Sequence, residues 1–199
     1  FNYEIIEDTS EENLKKELPK FDGLTLRVAK LGHEILKECK KLKVISRHGV
    51  GYDNVDVKYL KDNNIKLLIT ATANAVSVAE HVMYMILSLS KGIVQYDTMV
   101  RTGQFRNDSN KLITFELLNK EILIMGFGRI GKILIKRCLG FDMKVKVYDP
   151  FVEKHIIEEW GGYKVEDLDQ SLKTADYISI HMPLNEKTKN LINLDKLKI

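Results

Sequence analysis

Three closely spaced glycines, Gly126, Gly128 and Gly131, form the pattern with the clearest chemical meaning in this sequence. They follow the apolar run at 122–125, and the residues after them place apolar side chains at helical spacing up to Gly140. A strand that turns sharply into a helix leaves backbone N–H groups unpaired at the positive end of the helix dipole, where they suit a diphosphate. In such a turn the first glycine permits the bend, the second leaves room for the phosphates, and the third lets helix and sheet pack closely.

A carboxylate follows at the position where this chemistry needs one. Asp149 comes directly after the second apolar run, 145–148. A carboxylate there accepts hydrogen bonds from the adenosine ribose of a dinucleotide and repels a 2′-phosphate, so the pattern predicts NAD rather than NADP. The alternative is a tight strand-to-helix connection that binds nothing. The strand, the helix, the second strand and the acid in this order favour the dinucleotide.

The elements that must position these residues alternate between strands and helices. We predict strands at 3–6, 24–28, 43–46, 65–70, 122–125, 145–148, 163–165 and 177–180, and helices at 11–18, 31–39, 57–61, 76–91 and 130–140. This alternation predicts an α/β protein whose parallel sheets carry helices on both faces. The helix at 76–91 is apolar almost all round, which predicts that it is buried between two masses.

Composition excludes several other classes of protein. The chain has 199 residues, is 44% hydrophobic and carries a net charge of only +3. Its lysines are spread without aromatic interleaving, so nucleic acid is not a predicted partner. Neither metal-ligand spacing nor an apolar stretch that could cross a membrane is present in the sequence. Cys39 and Cys138 occupy apolar helical positions and are predicted to be reduced core residues of a cytoplasmic protein.

Five motifs in fixed order resemble those of the D-2-hydroxyacid dehydrogenases. They are Gly49-Val50-Gly51-Tyr52-Asp53-Asn54-Val55-Asp56, Ser77-Val78-Ala79-Glu80-His81, Gly126-Phe127-Gly128-Arg129-Ile130-Gly131, Tyr148-Asp149-Pro150, and Ala175-Asp176 with His181-Met182-Pro183-Leu184 and Thr188. The resemblance extends from about residue 3 to residue 199. It implies a partial flavodoxin-like substrate domain at 1–91 followed by a partial Rossmann NAD-binding domain at 92–199, with the active site in the cleft between the domains.

The resemblance also implies which residues bind ligands. Backbone N–H groups of Val50 and Gly51 face the substrate carboxylate, and Val50 borders the nicotinamide; the alternative is a simple strand-to-helix turn. Arg47 either meets a substrate phosphate or pairs with a surface acid. The implied cofactor-binding residues are Val50, Gly126, Gly128, Arg129, Ile130, Gly131, Asp149, Met182, Pro183 and Thr188.

The family's catalytic Arg, Glu and acid–base His are expected beyond Ile199, so no catalytic residue is predicted in this chain. In that mechanism the His moves the hydroxyl proton while hydride passes to the nicotinamide. We interpret His181 as a packing residue on the cofactor side and His81 as a core histidine. His48 lies near the expected substrate loop. The chain is therefore expected to be an inactive fragment of a longer enzyme.

Two functions remain open at this point. The first is an NAD-dependent dehydrogenase of small 2-hydroxy acids that forms a homodimer; the second is a nucleotide-sensing interaction protein, as the related transcriptional corepressors are. A family-like Arg, Glu and His after Ile199 would favour the enzyme. The resemblance does not choose between 3-phosphoglycerate, glyoxylate, hydroxypyruvate and lactate. Ala71, Ala73 and Phe105 depart from the family pattern, which leaves hinge geometry open more than cofactor binding.

Overall fold

Short parallel strands form the centre of two separate units in this chain. The computed structural model describes residues 2–198, which divide into unit 1, residues 2–74, and unit 2, residues 75–198. Within the described residues, every strand pair of either unit is parallel. The predicted α/β architecture is therefore confirmed.

Unit 1 consists of a small sheet and three flanking helices within residues 2–74. Its elements are β1 (Gly23–Leu26), β2 (Val44–Arg47), β3 (Lys66–Ile69), α1 (Glu11–Glu17), α2 (His33–Leu36) and α3 (Val57–Asp62). The strand order is β1-β2-β3, and the buried side chains of Leu36, Ile45 and Leu60 lie at the centre of the core. Asp56 caps α3 because its carboxylate accepts a hydrogen bond of 2.9 Å from the amide of Tyr59.

The strand predicted at 3–6 is not present, and that prediction was wrong. These residues adopt no regular secondary structure, and Tyr3 and Ile5 are 82% and 81% exposed. Ile6 is the residue of this run that packs against the core of unit 1. A strand needs a neighbour that satisfies its backbone hydrogen bonds, and no backbone group of the described residues is hydrogen-bonded to the backbone of this run.

Unit 2 is built around a larger parallel sheet. Its elements are β4 (Glu121–Met125), β5 (Lys144–Tyr148), β6 (Tyr163–Lys164), β7 (Tyr177–Ile180), α4 (Ala75–Lys91), α5 (Ile93–Arg101), α6 (Phe105–Asp108), α7 (Arg129–Leu139), α8 (Lys154–Glu158) and α9 (Leu168–Thr174). The strand order is β6-β5-β4-β7. The direction of winding therefore reverses between β4 and β7, as in the first strands of the expected Rossmann arrangement.

The environment of α4 differs from its prediction. One face packs on α7 and buries Met83, whereas Tyr84 and Leu89 on other faces are 57% and 76% exposed. The helix was predicted to be buried between two masses, but these side chains are not buried among the described residues. Because α4 packs within unit 2, the compact units divide after Asn74, earlier than the division predicted at 91/92. The assignment of a substrate and a cofactor domain to these parts stays a prediction.

Both cysteines belong to the cores of their units. Cys39 and Cys138 are buried free thiols, which confirms that they are core residues. Burial raises the pKa of both thiols, that of Cys138 to about 12. In residues 2–198 no helix is both long enough and apolar enough to cross a membrane.

Candidate functional site

The turn between β4 and α7 contains glycines that are needed for different structural reasons. Gly126 has a φ of +104°, a conformation that L side chains rarely adopt. A Cβ atom at Gly126 would also lie 2.9 Å from the carbonyl oxygen of His181, which follows β7. A Cβ atom at Gly131 would overlap the carbonyl oxygen of Gly126. Both positions therefore need glycine for the chain's own packing.

At Gly128, by contrast, the packing of the described residues does not require glycine. It is the N-cap of α7 with a φ of −76°, a value that other residues also adopt. A Cβ atom built at Gly128 would meet no described protein atom within 4 Å. The open space at this glycine therefore lies in front of the N-terminus of α7, where unpaired amides and the helix dipole favour an anion.

The first residues of α7 are free to bind an anion. The backbone amides of Arg129 and Ile130 donate no hydrogen bond to any acceptor in residues 2–198. The side chain of Arg129 is exposed and forms no ion pair within the same part of the chain. Ile130 is half-buried and packs against the core of unit 2. Together they present two amides and one positive charge at the glycine turn.

Asp149 lies at the carboxyl end of β5 and is tied to this turn. Its Oδ2 accepts a hydrogen bond of 2.8 Å from the backbone amide of Phe127, the residue between the first two glycines. Its Oδ1 accepts one of 2.9 Å from the amide of Phe151. The structure therefore brings the predicted ribose-binding acid and the predicted phosphate-binding turn together.

The end of β7 lies on the other side of β4. The amide of His181 donates a hydrogen bond of 2.7 Å to the carbonyl oxygen of Met125, which extends the pairing of the two strands. His181 Nε2 lies 2.8 Å from Ser179 Oγ, and burial lowers the pKa of the imidazole. These contacts agree with the interpretation of His181 as a packing residue. Met182 packs partly into the small cluster that contains Met125.

The hydroxyl group of Thr188 is engaged by its own loop. Thr188 Oγ1 donates a hydrogen bond of 2.6 Å to the carbonyl oxygen of Pro183 and accepts one of 2.9 Å from the amide of Asn185. Pro183 itself is exposed. In this structure Thr188 thus holds the loop that carries Pro183, and a cofactor contact of its hydroxyl stays a prediction.

In unit 1, the loop after β2 is held at Gly49. The amide of Gly49 donates a hydrogen bond of 2.7 Å to Thr70 Oγ1, and the amide of Thr70 lies 3.2 Å from the carbonyl oxygen of Gly49. By contrast, Val50 and Gly51 are exposed residues whose amides donate no hydrogen bond within residues 2–198. Successive unpaired amides of this kind suit a carboxylate.

Arg47 crosses this loop. Its guanidinium lies so close over Gly49 that a Cβ atom there would overlap it, and its Nη1 donates a hydrogen bond of 2.6 Å to the carbonyl oxygen of His48. The Nε atom is buried without a hydrogen-bond partner among the described residues. No acidic side chain of residues 2–198 pairs with Arg47, so the surface ion pair considered from the sequence is not formed there.

Sequence reasoning missed aromatic residues near the glycine turn. Phe127 is buried and packs edge-on against Trp160, with ring centroids 6.4 Å apart. Lys132 Nζ lies 5.1 Å from the centroid of the Phe127 ring and 5.6 Å from that of Trp160. Phe151 is 84% exposed beside Asp149. An aromatic residue two positions after a predicted ribose-binding acid was the available signal for Phe151.

One histidine interpretation was wrong. His81 is exposed on α4, where its ring lies 5.6 Å from that of Tyr84, so it is not a core histidine. Over the described residues, no group of three or more His, Cys, Asp or Glu side chains is arranged to hold a metal ion.

Comparisons with known proteins point to one family. Residues 83–199 match the family described as D-isomer specific 2-hydroxyacid dehydrogenase, NAD binding domain. The chain is 32% identical over 197 residues to D-3-phosphoglycerate dehydrogenase of Methanocaldococcus jannaschii, a match that covers 98% of this chain and 37% of that protein. It is 37% identical over 201 residues to hydroxypyruvate reductase of Thermotoga maritima, covering 98% of this chain and 64% of the relative.

A solved structure shows the same fold. The D-lactate dehydrogenase from Aquifex aeolicus complexed with NAD and lactic acid superposes with a TM-score of 0.83 at 34% identity, over 92% of this chain and 55% of that chain. The present chain thus spans between 37% and 64% of the length of the two curated relatives.

Proposed function

Because this chain belongs to the D-isomer-specific 2-hydroxyacid dehydrogenase family and carries its NAD-binding domain, we propose that it is part of an NAD-dependent oxidoreductase. The proposed enzyme interconverts a small 2-hydroxy acid and the corresponding 2-oxo acid. When bound, NAD supplies the hydride acceptor. Unit 2 binds this cofactor at the β4–α7 turn, and the loop after β2 in unit 1 binds the substrate carboxylate.

The observation that carries this proposal is the open space at Gly128. If the glycines served packing alone, a side chain at each of them would meet protein atoms, as it does at Gly126 and Gly131. Gly128 meets none among the described residues, and the adjacent amides of Arg129 and Ile130 are unpaired there. A diphosphate at the N-terminus of α7 accounts for both facts.

Asp149 supports NAD over NADP. Its carboxylate is fixed at the end of β5 beside the turn by amides at 2.8 and 2.9 Å. A 2′-phosphate on the adenosine ribose would bring negative charge close to this acid in a partly desolvated site. The exposed ring of Phe151 adds an apolar surface next to the acid, which we assign to the adenine.

The loop after β2 supports a substrate that carries a carboxylate. The unpaired amides of Val50 and Gly51 suit a carboxylate, and Val50 is the proposed neighbour of the nicotinamide. Arg47 has no acidic partner within residues 2–198, which favours a substrate that carries a second negative group. Several relatives are named D-3-phosphoglycerate dehydrogenase, so we propose 3-phosphoglycerate as the first substrate to test and serine biosynthesis as the role.

No residue of this chain is proposed as the acid–base catalyst. The ring of His181 is hydrogen-bonded to the hydroxyl group of Ser179 and lies at the end of β7. The catalytic Arg, Glu and His of the family are proposed to be supplied from outside residues 1–199. The helix α4 exposes apolar side chains such as Leu89, which supports a homodimer. Both thiols are free, which supports a reducing compartment such as the cytoplasm.

Titration calorimetry of the 199-residue chain with NAD and with NADP tests the proposed function. We expect saturable NAD binding, weaker NADP binding, and loss of NAD binding in Gly128→Val with a melting-temperature shift of no more than about 2 °C. A chain that is folded and binds neither dinucleotide at millimolar concentration would contradict the proposal. Turnover of 3-phosphoglycerate, glyoxylate, hydroxypyruvate and lactate by the whole protein then identifies the substrate.

A further inference from the structure

The residue between the first two glycines is held at both its backbone and its side chain. The amide of Phe127 donates to Asp149 Oδ2 at 2.8 Å. The ring of Phe127 is 3% exposed and packs edge-on against Trp160 within the core of unit 2. Asp149 is fixed in turn by the amide of Phe151.

This arrangement gives Asp149 a task besides contact with a ribose. The first and third glycines of the turn are constrained by packing, because side chains there would collide with His181 and with Gly126. At Gly128 no described atom is near enough to do the same. The amide of Gly126 already donates a hydrogen bond of 2.9 Å to the carbonyl oxygen of Tyr148 at the end of β5. The bond from Phe127 to Asp149 is a second hydrogen bond from this side, and it restrains the residue between Gly126 and Gly128.

We propose that Asp149 is a positioning residue for the phosphate-binding turn, and that it acts on the pyrophosphate through the amide of Phe127. This inference rests on the proposed function, since it concerns the same cofactor site. When the bond is missing, the turn spends less time in the conformation that accepts phosphates, and the affinity falls by that fraction. Removal of the acid therefore weakens binding of phosphate groups that never touch it.

Inorganic pyrophosphate separates this role from ribose binding, because it contains neither ribose. If Asp149 acts only on the ribose, removing it leaves pyrophosphate binding unchanged or improves it, since a negative charge is lost near an anion. Asp149→Ala and Asp149→Asn form a matched pair for this test. Both lack the charge, but the side-chain carbonyl oxygen of Asn still accepts a hydrogen bond from the Phe127 amide.

The experiment measures the dissociation constants of pyrophosphate and NAD for the 199-residue chain and both variants by NMR titration. It also measures hydrogen exchange of the Phe127 amide in the absence of ligand. We expect Asp149→Ala to bind pyrophosphate about two- to tenfold more weakly than Asp149→Asn, the range of one hydrogen bond. The Phe127 amide should exchange faster in the Ala variant than in the Asn variant and the unchanged chain.

The possible results are distinguishable. Equal pyrophosphate affinities and equal Phe127 exchange rates in the two variants overturn the positioning role and leave Asp149 with a ribose contact alone. If the unchanged chain binds neither NAD nor pyrophosphate, the proposed function fails, and the exchange rates alone then decide whether Asp149 holds the turn. Thermal unfolding of both variants confirms that each is folded, and a misfolded Ala variant is replaced by Asp149→Leu, which also lacks a hydrogen-bond acceptor.

Discussion

Gly131 lies so close to the carbonyl oxygen of Gly126 that a Cβ atom at Gly131 would overlap this oxygen. The same turn contains Gly128, where a side chain would enter open space among the described residues. Two glycines three residues apart thus have opposite tolerance for the same change. This contrast provides a way to separate packing from ligand binding.

Gly128→Val should abolish or strongly weaken NAD binding and shift the melting temperature by no more than about 2 °C, because the new side chain meets ligand rather than protein. Gly131→Ala should instead destabilise unit 2 by about 1–3 kcal/mol, since its Cβ overlaps a backbone oxygen. Calorimetry with NAD and thermal unfolding of both variants check this. A large fall in the melting temperature of Gly128→Val would mean that the fold itself requires glycine at this position.

Cofactor preference should follow Asp149. The unchanged chain is expected to bind NAD more tightly than NADP. Asp149→Ala should weaken NAD binding and reduce the ratio of the two dissociation constants. Because the same acid holds the turn, the variant should not gain tight NADP binding. Parallel titrations with both dinucleotides measure this. Tighter NADP than NAD binding by the unchanged chain would contradict the role assigned to Asp149.

The thiol of Cys138 should make unit 2 less stable in alkali. Its Sγ lies 3.7 Å from Met83 Sδ, and burial raises its pKa from the ordinary 9.0 to about 12. The unfolded chain therefore loses this proton first, and the unfolding free energy falls by about 1.4 kcal/mol for each pH unit above 9. Denaturant titrations between pH 8 and about 10.5 measure the slope. In Cys138→Ala, which has no thiol to ionise at this position, the contribution of Cys138 to the slope should be absent.

His181 should have the opposite pH dependence. Burial lowers its pKa below the ordinary 6.5, so the unfolded chain takes up this proton first as the pH falls. The contribution of His181 to the free energy of unfolding is complete above pH 6.5 and is lost as the pH falls through the lower pKa of the folded state. NMR titration of the His181 ring should give a midpoint below 6.5. His181→Gln should reduce the acid sensitivity of unfolding; an unshifted midpoint would contradict this account.

Thr70 should stabilise the loop that contains Val50 and Gly51. Thr70→Val leaves the buried amide of Gly49 without its 2.7 Å partner, at a cost of about 1–3 kcal/mol. Thr70→Ser keeps the hydroxyl group and serves as the matched control. Urea unfolding of unit 1 measures both. If Val and Ser variants are equally stable, Thr70 Oγ1 does not hold the loop.

The sequence was most informative where local chemistry and packing demand the same residue. The strand before Gly126, the helix after Gly128 and the strand before Asp149 were predicted at nearly their observed bounds, because apolar periodicity and glycine position agree there. The bond between Asp149 and Phe127 could not be predicted, since it joins residues that only the fold brings together.

Elements whose stability comes from neighbours were predicted less well. The run at 3–6 has apolar spacing but no paired strand among the described residues, and α5 (Ile93–Arg101) was missed because polar residues interrupt its apolar pattern. Likewise α4 is apolar in sequence but exposes Leu89, because apolar composition does not fix which faces are covered. The position of Arg47 over Gly49 depends on side-chain packing and has no local sequence signal.

Trp160 is the single tryptophan of the chain and contacts the ring of Phe127. Lys136 Nζ lies 4.6 Å from the centroid of its ring, so the indole has a charged neighbour as well as an aromatic one. Indole emission is sensitive to both, and any movement of Phe127 changes that environment. The chain therefore contains its own optical probe of the glycine turn, and a fluorescence titration could follow ligand arrival without an added dye.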